Sequence, residues 1–263
     1  QNGKKSNYFL MPNPRWTHDR KLARGHLGIV GVDEAGRGCL AGPVVAGAVL
    51  LSSSFFREAK HRKLTQEMND SKKFKEIKRE ELYAQVIKLA EKSALIASTG
   101  EASVLEIEKY NIVGATCLAM ERAMKKLSQK SSGLWKPVQK SSPDLFEHGC
   151  KAKQKWIVLV DGRPMKKLPF LHQGLVKGDG ISLSVAMASM LAKVTRDRFM
   201  RKLHLEFPNY GFDSNKGYGA PVHLSALQEI GPTQHHRPRF IRNLLAKPRE
   251  SKSADEQSQL SFW

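Results

Sequence analysis

The chain has 263 residues, 40% of them hydrophobic, and its 44 lysines and arginines outnumber 25 aspartates and glutamates, giving a formal net charge of +19. This length suits one sizeable core with tails. The absence of any apolar run of about 18 residues argues against a membrane span. Such an excess of positive charge favours a polyanionic partner, above all nucleic acid. An anionic membrane surface is the rival partner, but no stretch combines a basic face with a long apolar face.

The cysteine pattern gives no sign of a disulfide framework or a zinc site. The three cysteines, Cys39, Cys117 and Cys150, are odd in number and widely spaced, and none belongs to a Cys-x-x-Cys pair. This usage is typical of proteins in a reducing compartment. We expect a cytoplasmic protein without a membrane segment, and we expect a monomer.

Composition divides the chain into a central domain and two ends. Residues 1–26 are polar and basic and include two prolines, which predicts a flexible N-terminal arm. Residues 27–246 carry the apolar segments and form the predicted domain. Within it, residues 128–155 are rich in Ser, Lys, Gln and Gly, which predicts an exposed insertion. Residues 247–263 are predicted to be a flexible tail.

Hydrophobic periodicity predicts a pair of strands followed by alternating helices and strands. The predicted strands are residues 28–32, 43–51, 94–99, 156–160 and 171–177, and the predicted helices are residues 75–92, 104–127, 182–207 and 221–229. This order favours an α/β domain built on a mixed sheet.

Two of the predicted strands run directly into aspartates, Asp33 and Asp161. If these strands are parallel neighbours, both side chains lie at the same sheet edge, where ligand crevices form in open α/β sheets. Glu34 joins them only if its strand stops there, because neighbouring side chains of a continuing strand point to opposite faces. Clustered carboxylates repel one another unless a cation is present, and their oxygens suit magnesium or manganese rather than zinc.

Two further aspartates carry a weaker signal. Asp179, between Gly178 and Gly180 in front of a predicted helix, is a candidate ligand. Aspartate before a helix commonly serves as its N-cap, so a structural role accounts for Asp179 as well. Asp197 lies mid-helix beside two arginines, and we expect a surface or supporting residue there.

The longest motif of the chain, at residues 31–44, resembles the signature of bacterial ribonuclease HII, a member of the ribonuclease H-like superfamily. It reads Gly-Val-Asp-Glu-Ala-Gly-Arg-Gly-Cys-Leu-Ala-Gly-Pro-Val. Further motifs of that family follow in the same order: Asn-Asp-Ser-Lys-Lys at 69–73, Val-Asp-Gly at 160–162, Val-Lys-Gly-Asp at 176–179, Ala-Lys-Val-Thr-Arg-Asp at 192–197, Lys-Gly-Tyr-Gly at 216–219 and His-Arg-Pro-Arg-Phe at 236–240. One such motif would be weak evidence, whereas the ordered set is specific.

The resemblance implies a ribonuclease H-like fold, with a central mixed β-sheet flanked by helices and a small C-terminal helical extension. It implies that Asp33, Glu34, Asp161 and Asp179 bind magnesium or manganese, with two ions during catalysis. It also implies hydrolysis 5′ to a ribonucleotide embedded in duplex DNA, or of the RNA in RNA–DNA hybrids, leaving 3′-hydroxyl and 5′-phosphate ends. Such an enzyme serves ribonucleotide removal in DNA replication and repair.

Specificity for this substrate depends on the 2′-hydroxyl, which distinguishes RNA from DNA at a given sugar. Glycines let a backbone approach a sugar closely, so the Gly-Arg-Gly segment at residues 36–38 suits recognition of the ribose. Without the family resemblance, the same segment would be explained equally well as a tight turn. Tyr218 resembles the family tyrosine that packs on the deoxyribose after the ribonucleotide, although by itself it reads as a turn aromatic. The predicted substrate contacts are Gly36, Arg37, Gly38, Lys72, Lys73, Lys193 and Tyr218.

Three other functions remain open at this point. A nuclease specialised for long RNA–DNA hybrids is the nearest alternative, and a catalytically silent nucleic-acid-binding domain on the same fold is the second. All four carboxylates are present, which counts against a silent domain. A nucleotide-binding switch would also account for a glycine-rich loop, but the chain has no GxxxxGK[ST] phosphate loop.

The last five residues form a separate short motif. They resemble the Gln-Leu-Ser/Asp-Leu-Phe peptide by which bacterial replication and repair proteins bind the sliding clamp. A polar, charged tail that ends in apolar side chains needs a hydrophobic partner, either a pocket on another protein or this protein's own surface. The predicted clamp-binding residues are Gln259, Leu260, Phe262 and Trp263.

Overall fold

The computed structural model describes residues 13–140 and 155–245. Its centre is a five-stranded sheet in the order β3-β2-β1-β4-β5. The strands are β1 (Gly28–Ala35), β2 (Val44–Ser52), β3 (Ile96–Ala102), β4 (Trp156–Asp161) and β5 (Gln173–Leu175). β2 pairs antiparallel with β1 and β3, whereas β4 pairs parallel with β1 and β5, so the mixed sheet predicted from the sequence is confirmed.

Helices cover both faces of this sheet. They are α1 (Pro14–Leu22), α2 (Ala59–Leu64), α3 (Glu76–Glu91), α4 (Val104–Lys130), α5 (Gly178–Ile181), α6 (Leu183–Glu206), α7 (Phe212–Asn215), α8 (Pro221–Glu229) and α9 (Pro238–Leu245). α4 is interrupted at Asn111, which has a φ of 57°. The side-chain oxygen of Asn111 accepts hydrogen bonds from the backbone amides of Val113 and Gly114. The predicted continuous helix is therefore two helical segments.

α6 packs on one sheet face and α4 on the other, each with its own buried apolar cluster. Two strand glycines allow α6 to approach closely. A Cβ on Gly31 would lie 2.2 Å from the carbonyl carbon of Ser184, and a Cβ on Gly47 would lie 2.2 Å from the Ala188 oxygen. α6 therefore lies on the backbone of the two central strands, and its side chains reach the sheet edge where β1 ends.

The chain after α6 forms the predicted C-terminal helical extension. α7, α8 and α9 surround a third apolar cluster that includes Phe212, Leu227 and Ile241. This cluster contacts the sheet domain through Ala41, in the β1–β2 connection, and through Met200 of α6. None of the helices in the described part of the chain is both long and apolar enough to cross a membrane.

The structure corrects two predictions about exposed segments. The flexible arm predicted for residues 1–26 is wrong for α1, which docks through Trp16, only 2% exposed. The insertion predicted for residues 128–155 is wrong at its start, because α4 runs to Lys130 and Trp135 is 3% exposed. Residues 1–12, 141–154 and 246–263 lie outside the described residues.

Candidate active site

Asp33 and Asp161 lie side by side at the ends of parallel neighbours. β1 and β4 pair in register up to Val32 and Val160, and each strand places its aspartate next. The sheet is buried on both faces here, so the strands read as apolar runs up to the first residue of the crevice. The sequence expectation that two strand-terminal aspartates share one edge is met by this topology.

Asp33 is a buried carboxyl surrounded by other acids. It is 5% exposed, and its Oδ1 accepts the Glu34 amide at 2.7 Å. Burial raises the pKa of Asp33 well above its ordinary value, and the charges of Glu34 and Asp161 raise it further, while a hydrogen bond from Ser189 of α6 acts in the opposite direction. The ionised carboxylate is therefore costly here unless a cation balances it.

Glu34 reaches the same cluster although its strand continues. The sequence argument required the strand to stop at Glu34, and that is wrong, since β1 runs to Ala35. Parallel pairing with β4 ends at Val32, whereas antiparallel pairing with β2 continues through Glu34. Burial raises the pKa of Glu34, Arg37 opposes the rise through a 3.0 Å hydrogen bond to Oε1, and the charge of Asp161 adds to it.

Asp179 lies across the crevice on α5. It is 6% exposed, and its pKa is raised by burial first and then by the charges of Asp70 and Asp161. The adjacent Gly178 amide donates to Asp161 Oδ1 at 2.6 Å, which ties the two acidic positions together. The cap of α6 is Ser182, whose hydroxyl accepts the Val185 amide, so Asp179 is not that N-cap.

The charge of Asp161 thus raises the pKa of three other carboxyls, Asp33, Glu34 and Asp179. This all-oxygen, mutually repelling donor set fits a hard divalent cation. Across residues 13–140 and 155–245, however, no three His, Cys, Asp or Glu side chains are already grouped closely enough to hold an ion. The four acids fit a metal by chemistry and charge, and their convergence on one ion stays a prediction.

The predicted substrate lysines lie at the rim of this crevice. Lys72 Nζ is 3.9 Å from Asp179 Oδ2, and its side chain is 80% exposed. Lys73 is exposed beside it in the same single turn of 3-10 helix. Lys193 Nζ donates to Asp197 Oδ1 at 2.8 Å and lies 6.0 Å from the centre of the Tyr218 ring. Lys72 thus lies beside Asp179, and Lys193 lies beside Tyr218.

The glycine-rich loop is held from beneath by Arg237. This guanidinium is 1% exposed and donates to four backbone carbonyls, those of Gly36, Arg37, Gly42 and Pro43, at 2.7 to 3.2 Å. Burial lowers the pKa of Arg237 to about 10, so the group stays charged at neutral pH. The loop is therefore a pre-shaped platform rather than a free turn.

The comparisons with known proteins agree with this arrangement. The sequence profile of the ribonuclease HII family matches residues 30–244. Ribonuclease HII of Nitrobacter hamburgensis is 38% identical over 253 residues, which cover 93% of this chain and 81% of the relative. That of Delftia acidovorans is 42% identical over 212 residues, which cover 81% of this chain and 75% of the relative.

The chain belongs to the ribonuclease HII family. It is a metal-dependent endoribonuclease of the ribonuclease H type. Solved structures share its fold. The ribonuclease HII of the Archaeoglobus fulgidus PCNA complex superposes with a TM-score of 0.59 at 22% identity, covering 84% of this chain and 98% of the other. A Bst-ribonuclease HIII in complex with Mn²⁺ superposes with a TM-score of 0.52 at 15% identity, covering 85% and 67%.

One family motif of ribonuclease HII contains Arg196, to which sequence reasoning gave no role. Arg196 is 1% exposed and donates to the carbonyls of Ala41, Pro43 and Lys216. It joins the β1–β2 connection to the segment that precedes Tyr218. A charged residue in the middle of a helix normally indicates a solvated face, so no residue near Arg196 in the sequence indicated that it would be buried.

Asp197 is buried at 1% exposure, so its expected surface position is wrong. Its carboxylate pairs with Lys193 at 2.8 Å and with Arg79 at 3.5 Å. It therefore holds the side chain of Lys193, which agrees with the supporting role that was the other expectation.

α1 also contributes to the site, which the sequence did not predict. Asn13 Nδ2 donates to the carbonyls of Thr65 and Met68, below the loop that carries Lys72. Arg15 donates to the Asp179 carbonyl at 3.2 Å and to the Asn69 side chain. The helix thus fixes two segments on the Asp179 side of the crevice.

Proposed function

We propose that this chain hydrolyses the phosphodiester bond 5′ to a ribonucleotide embedded in duplex DNA, leaving 3′-hydroxyl and 5′-phosphate ends. The observation that carries the proposal is the acidic edge of Asp33, Glu34, Asp161 and Asp179, of which Asp33 and Asp179 are buried, directly beside a rigid glycine-rich loop. The acids supply the reaction centre, and the loop supplies a backbone surface for reading one sugar.

We propose magnesium or manganese as the metal, bound by these four carboxyls. When bound, such ions activate a water molecule and stabilise the leaving 3′ oxygen of an in-line displacement. The chain's own contribution is to hold the acids at one edge. Arg37 orients Glu34 through its hydrogen bond, and the Gly178 amide orients Asp161.

Cys39 and Cys117 are buried free thiols, which supports the proposed cytoplasmic location.

Recognition of the ribose is proposed for the amides of the glycine-rich loop. Arg237 already occupies the carbonyls of Gly36 and Arg37. Among the backbone hydrogen bonds of the described residues, none is donated by the amides of Arg37 or Gly38. These two N–H groups are therefore available to a 2′-hydroxyl, which accepts as well as donates.

Cleavage of a duplex with a single ribonucleotide, mapped at nucleotide resolution, tests the proposal. With magnesium or manganese we expect one cut, on the 5′ side of the ribonucleotide. A matched duplex with a run of ribonucleotides distinguishes the hybrid-specific alternative, which would cut only the run. Binding without any cut of either duplex would instead identify a silent binding domain.

Tyr218 is proposed to pack on the sugar that follows the ribonucleotide. Its side chain is 45% exposed, beside Lys193, so replacement by alanine removes contact area rather than a core residue. We expect Tyr218→Ala to lower kcat/KM on the single-ribonucleotide duplex about tenfold or more, as loss of one stacking contact does.

Tyr110→Ala is the matched control for that substitution. Tyr110 is 44% exposed and has a lysine, Lys109, over its ring in the same way. It lies on α4 and is not among the predicted substrate contacts. Equal kinetic effects of the two substitutions would assign Tyr218 to the turn alone.

We propose that the C-terminal peptide binds a bacterial sliding clamp. The peptide, with Gln259, Leu260, Phe262 and Trp263, lies outside the described residues, and the support is its sequence together with the PCNA complex of the similar archaeal ribonuclease HII. Tethering to a clamp would raise the enzyme's local concentration on DNA.

Deletion of residues 259–263 tests clamp binding. We expect loss of binding to a bacterial sliding clamp in a pull-down or calorimetric titration, with unchanged cleavage of a short duplex. Absence of clamp binding by the intact chain would refute the idea. A marked fall in thermal stability upon deletion would show instead that the peptide packs on its own domain.

A further inference from the structure

Two buried histidines of the C-terminal extension are hydrogen-bonded to each other. His223 on α8 and His236, two residues before α9, are 0% and 2% exposed. Their Nε2 atoms are 2.9 Å apart. The rings lie among the aromatic side chains of Tyr210 and Phe212. The site chemistry described above uses neither ring.

The partners of the two rings determine where their protons are. The Thr233 amide donates to His236 Nδ1 at 2.9 Å, so that nitrogen is an acceptor and the ring carries its proton at Nε2. His236 Nε2 therefore donates to His223 Nε2. His223 must then carry its proton at Nδ1, which lies 2.7 Å from the Tyr218 carbonyl oxygen and donates to it.

The result is one directed chain of hydrogen bonds, from Thr233 through His236 and His223 to the backbone of Tyr218. Both rings must be neutral for it to exist, because a second proton would place two N–H groups against each other. Burial lowers the pKa of both rings, that of His236 to about 4. This series of hydrogen bonds is therefore intact at neutral pH.

The same segment also holds the glycine-rich loop. Arg237 follows His236 directly and donates to the carbonyls of Gly36 and Arg37. Tyr218 lies after Lys216 and Gly217, both in the left-handed region with φ of 51° and 80°, so its own stretch of backbone is not regular structure. Residues 233–237 thus connect the glycine-rich loop, which is proposed to bind the ribose, to Tyr218, which is proposed to pack on the following sugar.

We propose that His223 and His236 are positioning residues, which fix the backbone of Tyr218 and thereby the distance of its ring from the glycine-rich loop. The inference rests on the role of Tyr218 in the proposed function. The two buried imidazoles would therefore contribute to substrate discrimination through Tyr218, without touching the substrate.

A double-mutant cycle on the full chain tests the proposal. His223→Phe keeps an aromatic ring in the cluster and removes the chain of hydrogen bonds. His223→Asn retains an N–H group near the position of Nδ1 and so can restore the bond to Tyr218. Both are measured as kcat/KM on the single-ribonucleotide duplex, alone and combined with Tyr218→Ala.

We expect His223→Phe to lower kcat/KM about tenfold, since loss of one buried hydrogen bond has about this effect, and His223→Asn to restore most of it. In the Tyr218→Ala background we expect no further loss from His223→Phe. His61→Phe is the matched control, because His61 is also buried and bonded to a backbone carbonyl, that of Phe55 at 3.1 Å. It should lower the melting temperature without changing kcat/KM at assay temperature.

Equal losses from His223→Phe with and without Tyr218 would overturn the proposal, and so would an unchanged kcat/KM in His223→Phe. If His223→Phe does not fold, His236→Phe takes its place in the two backgrounds, because it removes the hydrogen bond between the two rings, and equal losses with and without Tyr218 would again overturn the proposal. Failure of the proposed function is visible separately, because the wild-type chain would then leave the single-ribonucleotide duplex uncut.

Discussion

Replacing Asp33 by asparagine should abolish cleavage and at the same time raise the thermal stability of the metal-free protein. Asparagine keeps the shape of the side chain but removes the charge that a divalent ion needs, so a fall in kcat of about 10³-fold or more is expected, beyond the 10–100-fold typical of supporting residues. Because the pKa of Asp33 is raised, ionisation of this carboxyl destabilises the folded state at pH values above the ordinary pKa of aspartate.

Removing that cost should raise Tm, since each kcal/mol of added stability raises Tm by about 2–4 °C in a protein of this size. Melting curves in EDTA measure the effect, and added magnesium or manganese should stabilise the wild type but not Asp33→Asn.

Asp161→Asn should also lose cleavage while duplex binding persists. Asp197→Asn is the control and should be milder, because its partners are Lys193 and Arg79. Wild-type turnover in Asp33→Asn would remove this residue from the metal site.

Gly36→Ala should destabilise the fold and eliminate cleavage together. Gly36 has a φ of +92°, and a Cβ built there lies 2.0 Å from Arg196 Nε. That guanidinium cannot move aside cheaply, since it is buried and bonded to three carbonyls. Backbone strain and a displaced buried cation together should cost about 3 kcal/mol or more, a fall in Tm of about 6–12 °C.

Gly38→Ala is the matched control in the same loop. A Cβ on Gly38 meets nothing within 4 Å, and its φ lies outside the left-handed region, so the melting temperature should not change. Cleavage of the single-ribonucleotide duplex should nevertheless fall, because a methyl group would occupy the space that the sugar needs. A Gly38→Ala enzyme with full activity would count against backbone readout of the ribose, and a stable, active Gly36→Ala enzyme would contradict the packing argument.

The sheet and its acidic edge could be predicted because local patterns determine them. Apolar runs that end in Asp33 and Asp161 follow from strands buried on both faces, and the structure pairs those strands in parallel. Glu34 could not be placed by the same rule. Alternation puts neighbouring side chains on opposite faces of a strand, yet at this end of β1 the charge of Asp161 raises the pKa of both Asp33 and Glu34.

Buried charges were the main failure of sequence reasoning. Arg196, Arg237 and Asp197 look like solvated residues, because a charge in a helix or loop usually is one. Here the two guanidiniums are buried by backbone carbonyls from the β1–β2 connection, at sequence separations of 153 to 201 residues. No local pattern reports a partner that far along the chain. α1 was missed for a similar reason, since its docking depends on single residues such as Trp16 rather than on an apolar stripe.

The docking of α1 also sets when the active site can form during synthesis. Asp19 on α1 accepts hydrogen bonds from the Ser182 hydroxyl at 3.0 Å and from the Ser184 amide at 2.8 Å, across a separation of up to 165 residues. At about 5–20 residues per second, the ribosome needs about 10–30 s to add that stretch. α1 therefore cannot dock until α6 has been synthesised, and the nascent chain has no complete catalytic edge before that point.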